Sequence, residues 1–175
     1  MKAKIIFKKG RGGDMTLDAI EGIAIPGIDG SVVLVYPKYR KCRMLGDGRS
    51  EAWMEPNHTE IEALFEDGDT SRERTDELLG LGSPAAEFVR SIGKEFNIPS
   101  LRSAGAIKKY RDEINALAKQ IRGADLLDKD ALLWSCLRGS SRYACHVAGR
   151  FGYFSGHCLN DACVAVPCFV TAWEK

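Results

Sequence analysis

Short apolar runs open the chain. Residues 4–7 read KIIF, residues 22–26 GIAIP and residues 31–36 SVVLVY. Runs of this length, rich in β-branched side chains, predict strands. The last two are joined by GIDG, which puts glycine where a hairpin turn wants positive φ. Between the first two lies KKGRGGD, a basic, glycine-rich turn. It is not a phosphate loop, because it lacks the GK[ST] ending and no helix clearly follows. Residues 40–57, RKCRMLGDGRSEAWMEPN, predict turns around a buried Trp53.

After Pro56 the apolar spacing lengthens to that of helices. Residues 59–65 set Ile61, Leu64 and Phe65 on one helical face, and Asp67-Gly68-Asp69 ends it. The charge run EDGDTSRERTDE predicts a solvated turn leading into a short helix. Ser83-Pro84 is a helix start, with Ser as N-cap and Pro in the first turn, followed by AAEFVRSIGKEF. The longest helix is expected over residues 103–122, stopped by Gly123. Its apolar stripe is Ile107, Ile114, Leu117 and Ile121, with Lys108, Lys109, Arg111, Asp112 and Glu113 facing water. A turn, LLDKDALLWS, leads into an irregular stretch that returns to β at residues 164–169, VAVPCF. Ile107, Ile114, Leu117, Trp134, Val164 and Val166 are therefore expected in one core. The order predicts an α+β fold: strands, two helices, then a long loop-rich β region.

Length and charge narrow the function. A chain of 175 residues fits a single domain with a real core. It divides into a β-rich part (1–57), a helical part (58–133) and the C-terminal stretch (134–169). The net charge of +1 gives no electrostatic case for nucleic acid or membrane binding. Neither a signal peptide nor an apolar run long enough to span a bilayer is present. Any exit from a cell is then expected by lysis, by assembly into a larger particle, or by a non-Sec route.

The chemistry-bearing residues crowd into the C-terminal stretch, WSCLRGSSRYACHVAGRFGYFSGHCLNDACVAVP. Of six cysteines, Cys42 stands alone while Cys136, Cys145, Cys158, Cys163 and Cys168 fall here. A chain with a sufficient core does not need stapling, so thiols are expected, with no obligatory disulfide among these five. Their spacing with His146 and His157 is neither CxxC nor HxxxH, so no metal is expected, nor any other cofactor. Glu55-Pro56-Asn57 matches the calcium-binding triplet of animal C-type lectins, and Leu159-Asn160-Asp161 half-matches its partner. They stand about a hundred residues apart in sequence, whereas calcium needs the oxygens converging in one loop.

What the stretch lacks is more telling. From Ser135 to Phe169 there is no Lys, Glu, Gln, Met or Trp, whereas residues 1–134 carry 29 of these types. At that density about seven or eight would fall in the stretch. Burial accounts for missing Lys, Glu and Gln, but not for missing Trp and Met beside retained Arg138, Arg142 and Arg150. One chemical bias does account for all of them. If both adenines of a codon AAC or AAT are free to become any base, Lys, Glu, Gln, Met and Trp are the amino acids that cannot result.

The order of elements, and several short motifs, resemble the C-type lectin fold in its bacterial and phage form, shared with formylglycine-generating enzymes. FNIPSLRSAGAIKKYRDEINALAKQI followed by LLWS resembles that family's helix and "WSS" element. YACHV, FGYFSG and VAVPCF resemble its closing strands, and GIAIPGIDGSVVLVYP with EAW its upstream pair. The likeness spans nearly the whole chain. It implies paired terminal strands flanked by two helices, carrying a binding platform. Within that fold the C-terminal stretch resembles the variable region of proteins diversified by retroelements, in which adenine-specific mutagenesis rewrites a cassette on a constant scaffold. Two departures stand out: Cys145 follows "YA" where many members have an aromatic, and "WSS" here reads Trp134-Ser135-Cys136.

The resemblance implies a non-enzymatic binding protein, such as a phage tail-fibre tip or bacterial surface adhesin, and hence a virion or cell-surface location. Its expected partner is a macromolecule, protein or glycan, on a target cell. The implied variable, ligand-binding positions are Leu137, Arg138, Ser140, Arg142, Tyr143, Cys145, His146, Arg150, Phe151, Tyr153, Ser155, His157, Cys158, Asn160, Asp161 and Cys163. Trp134, Ser135, Gly149, Gly152, Val164, Val166 and Pro167 read as scaffold. Tyr, Ser, Gly, Arg and His are side chains that make adaptable contacts at low entropic cost. For them to meet one ligand, Arg138, Ser140, Arg142, Tyr143, His146, Tyr153, Ser155, His157, Asn160 and Asp161 must share an exposed face. Two alternatives are a thiol- or metal-dependent enzyme on the same fold, and a structural particle-decoration protein.

Overall fold

The computed structural model describes residues 1–27, 30–45, 71–138, 143–148, 153–158 and 162–171, with backbone alone for 137, 138, 143–148 and 153–158. The β-branched runs form strands as expected: β1 (Lys4–Phe7), β2 (Ile20–Pro26) and β3 (Val32–Val35). β2 and β3 pair antiparallel as a hairpin, with Ile23 opposite Val35 and Pro26 opposite Val32. Gly30 takes φ +80° in the connection, a region costly for residues bearing a Cβ. A bulge between Ile6 and Phe7 bends β1 along β2.

Four helices follow among the described residues, after a short strand β4 (Arg40–Arg43) that the sequence reads as turn. They are α1 (Ser71–Gly80), α2 (Pro84–Ile92), α3 (Leu101–Lys109) and α4 (Arg111–Ala118). The resemblance implies two, so this is a correction. α2 starts where expected, with the Ser83 hydroxyl accepting from the Ala86 amide at 3.2 Å. The charge run is largely α1, with Arg74, Thr75 and Leu78 buried. The long helix expected over 103–122 is instead α3 and α4. Tyr110 stands between them at φ −98°, ψ 14°, outside the helical well. Ser100 caps α3, accepting from the Ser103 amide at 3.2 Å. The residues expected at 40–57 beyond Leu45, including Trp53, and the helix at 59–65 lie outside the described residues.

The C-terminal stretch is more regular than its composition suggests. β5 (Leu133–Arg138), β6 (Tyr143–Ala148), β7 (Tyr153–Cys158), β8 (Ala162–Ala165) and β9 (Cys168–Thr171) occupy most of it. The strands form two sheets, β1-β2-β3-β9 and β4-β8-β5-β6-β7. The class is α+β. The implied pairing of first and last strands is not what forms: β1 and β9 sit at opposite edges of one sheet, and β9 pairs with β3. The β2–β3 hairpin occupies the place between them. β8 and β9 belong to different sheets although only Val166 and Pro167 separate them. Both of those residues are buried, and the Pro167 carbonyl accepts from the Tyr36 amide at 3.0 Å.

Two apolar clusters fill the body. One joins the inner side of the first sheet (Ile23, Ile25, Val33, Val35, Cys168) to Ile107 and Ile114 of the helices, and to Leu133 and Val166. Leu117 and Val164 pack against it, half-buried. The other gathers Met44, Leu45, Leu78, Phe88 and Val89 around Trp134, Cys136, Cys163 and Ala165. Because side chains alternate along a strand, Leu133 and Trp134 enter opposite clusters, so this part of the second sheet is buried on both sides. The six residues expected in one core thus divide between two clusters, with Trp134 apart from the other five.

Candidate functional site

β5, β6 and β7 form consecutive antiparallel ladders, and their register fixes which residues are neighbours. One row runs Trp134–His146–Ser155. A second runs Arg138–Ala144–His157, and Ala148 stands opposite Tyr153. Residues two apart lie on the same side of the pleat, so Arg138, His146, Tyr153, Ser155 and His157 fall on one side, together with Trp134 and Cys136 of β5, which enter the buried cluster there. Tyr143, Cys145 and Cys158 fall on the other, with Tyr143 directly opposite Cys158. Tyr143 is thereby set apart from the residues it was grouped with. Leu137 lies in β5 beside Arg138. Ser140, Arg142, Arg150, Phe151, Asn160 and Asp161 lie outside the described residues, as do Gly149 and Gly152.

Cys163 is a different case. It is only 1 % exposed, inside the cluster around Trp134. That burial removes it from any surface a ligand can touch. Its partner across the antiparallel ladder is Cys42 of β4, which is half-buried against the same cluster. Desolvation pushes the Cys42 thiol up to about 11. The four cysteines whose side chains are described, Cys42, Cys136, Cys163 and Cys168, are thiols.

The strands are held from beneath by Trp134, which the sequence reads as scaffold, and by backbone bonds it does not single out. Trp134 is fully buried, and its indole Nε1 donates to the Cys42 carbonyl at 2.8 Å. A buried indole needs such a partner, and here the bond ties the middle of the sheet to its β4 edge. The Cys136 amide donates to the Pro99 carbonyl at 2.8 Å, fastening β5 to the start of α3. The Val164 amide donates to Leu132 at 2.7 Å, holding β8 to the entry of β5.

A second set clasps the segment entering β5. Lys108 was expected to face water, yet it is only 5 % exposed. Its Nζ donates to the carbonyls of Ala131 at 2.6 Å and Lys129 at 3.3 Å. Arg111 reaches the Leu127 carbonyl at 3.2 Å, and Asn115 both donates to and accepts from Leu127 at 2.8 Å. Burial lowers the Lys108 ammonium's pKa, and Arg111 adds to the lowering, while Asp130 and Asp128 oppose it. A signal was present: Lys108 lies four residues after the buried Ala104, on the face of Ile107. Its stem covers apolar surface while its tip finds oxygen.

By residue type, the positions on that side of β6 and β7 include His, Ser and Tyr, and the end of β5 adds Arg138. Acid–base partners for catalysis are sparse, since the stretch from 135 to 169 holds one Asp, two His and no Glu. Among the described residues no three His, Cys, Asp or Glu converge as a metal site. No helix there is long and apolar enough to cross a membrane. Comparison with protein-family models, with curated proteins and with solved structures found no match.

Proposed function

We propose that this protein is a non-enzymatic binding protein, in which a C-type-lectin-like scaffold displays a diversified surface made by its C-terminal stretch. One observation carries the reading: Lys, Glu, Gln, Met and Trp are all absent from residues 135–169, although the preceding 134 residues carry 29 of them. These are the types that randomised adenines in AAC and AAT codons cannot produce. The strand register sets Arg138, His146, Tyr153, Ser155 and His157 on one side of the β5–β7 ladder, which at β5 is also the side on which Trp134 and Cys136 are buried. A diversified set serves binding only when its members can meet one ligand. The expected ligand is a protein or glycan on a target cell, engaged over roughly 800 Å² per partner. Tyr153 and Arg138 are its anchors, being residue types that dominate binding hot spots. The carrier is a tail-fibre tip or a bacterial surface assembly.

The test is sequencing of the gene and its flanks from independent isolates. Substitutions confined to positions between 137 and 161, at sites where a nearby copy of the same DNA has adenine, are the expected result. Variation spread evenly over the chain, with no nearby copy and no reverse transcriptase gene, would overturn the diversification reading.

A further inference from the structure

Cys42 and Cys163 stand directly opposite one another on β4 and β8. The type of pair follows from a neighbouring hydrogen bond. The Val164 amide points toward β5, donating to Leu132, so the amide and carbonyl of Cys163, one residue earlier, face β4. Opposed residues of that hydrogen-bonded type have Cα atoms about 5.5 Å apart. A disulfide spans Cα separations of about 4.4–6.8 Å. Both side chains enter the same cluster around Trp134, so both lie on one side of the sheet. Their exposures differ: Cys163 is buried, whereas Cys42 is half-buried on the edge strand.

We propose that Cys42 and Cys163 are a modification site, a thiol pair that a small disulfide such as oxidised glutathione converts to a cross-strand disulfide between β4 and β8. The difference in exposure sets the order of events. Cys42, reachable from solvent, attacks the glutathione disulfide as its thiolate; a Cys42–glutathione bond forms and one glutathione leaves. Cys163 then attacks the Cys42 sulfur from within the core, and the second glutathione leaves. The two cysteine sulfurs are oxidised, the glutathione disulfide is reduced, and the two thiol protons end on the two glutathiones. Thiolate is the attacking species, so burial of Cys42 makes the first step slow at neutral pH and faster as pH rises. The chain then folds as a dithiol inside a reducing cell and is stapled outside it. The bond closes the sequence between β4 and β8 and fixes the edge of the sheet whose other strands are β5, β6 and β7.

The experiment incubates the full-length protein with oxidised glutathione at pH 7 and pH 9. Remaining thiols are then blocked under denaturing conditions and the disulfide-linked peptides mapped by mass spectrometry. The expected result is a 42–163 linkage, formed faster at pH 9, reversed by dithiothreitol, and raising the denaturation midpoint of the oxidised form. In Cys163→Ser the expected product is a lasting glutathione adduct on Cys42. Where that variant does not fold, Cys42→Ser supplies the control, with no linkage to Cys163. A glutathione adduct that persists on Cys42 of the unsubstituted protein overturns the proposal. So does a bridge between any other pair, Cys145–Cys158 included, or no linkage at either pH.

Discussion

The two sheets are built from different chemistry. In the first, β3 reads VVLV and is buried at every position, and the adjoining β2 is buried at Ile23, Ala24 and Ile25. β-branched side chains fit such a surface and prefer it locally. In the second, β6 and β7 read YACHVA and YFSGHC, with a single β-branched residue, Val147, between them. β6 is bonded to β5 and β7 to β6, and β5 in turn is secured by Trp134, by the Pro99 carbonyl and by the clasp around residues 127–131. One sheet is specified by its own residues and the other by what holds it. A sheet of the second kind tolerates changes in its outer strands so long as its fastenings are intact.

That contrast breaks most readily at Trp134. Trp134→Ala removes the largest fully buried side chain among the described residues and leaves the Cys42 carbonyl without its indole partner. The expected loss is about 3–5 kcal/mol, measured by urea denaturation, with the strands of the second sheet losing amide-exchange protection first. A loss under about 1 kcal/mol would mean that β5–β7 do not depend on this anchor.

A smaller effect is expected in the first sheet at Gly22. A Cβ built there meets the Val35 carbonyl oxygen at 2.9 Å, a backbone atom that cannot swing aside. Gly22→Ala is expected to cost about 1–3 kcal/mol, read from the same denaturation curves, even though it adds a single methyl group.

Alkaline titration sharpens the comparison at the β4 edge. The half-buried Cys42 thiol holds its proton up to about 11, against an ordinary 9.0. Between those values the folded state carries more protons than the unfolded one, so stability falls as pH rises through that window. The contribution is about 1 kcal/mol once partial exposure is allowed for. Cys42→Ala is expected to flatten that part of the stability–pH curve, and an unchanged slope would assign it to other groups.

The smallest change in stability belongs to β6 and β7 themselves. His146→Ala, Ser155→Ala and His157→Ala combined are expected to shift stability by less than about 1 kcal/mol while weakening the ligand binding proposed above. A collapse in stability instead would show that these positions belong to the core.

How much of this was legible in the sequence follows the same division. β1, β2, β3 and the start of α2 announce themselves through apolar runs, a hairpin turn and a Ser-Pro cap. β4 does not, because RKCR is a charged edge strand in which only Cys42 is even half-buried, a composition that protects an edge but hides it from apolar periodicity. β5 to β7 are hidden for a related reason: Ser, Gly, Cys, His and Arg carry little strand preference, and partners far along the chain supply the order. The break at Tyr110 was invisible because Ile107 and Ile114 keep helical spacing across it. The side-by-side rows of Arg138, His146, Ser155 and His157 required the register, which no local signal encodes.

The short step at Val166 and Pro167 has a consequence for how such a gene can change. β8 is committed to β4 and β5, β9 is committed to β3, and the two buried residues between them leave no slack. One extra codon between Ala162 and Thr171 would slide β9 by one position against Val32–Val35. Cys168 and Val170 would turn away from the cluster they now fill, and Phe169 would turn into it. Across that junction, therefore, lineages of this protein must keep count.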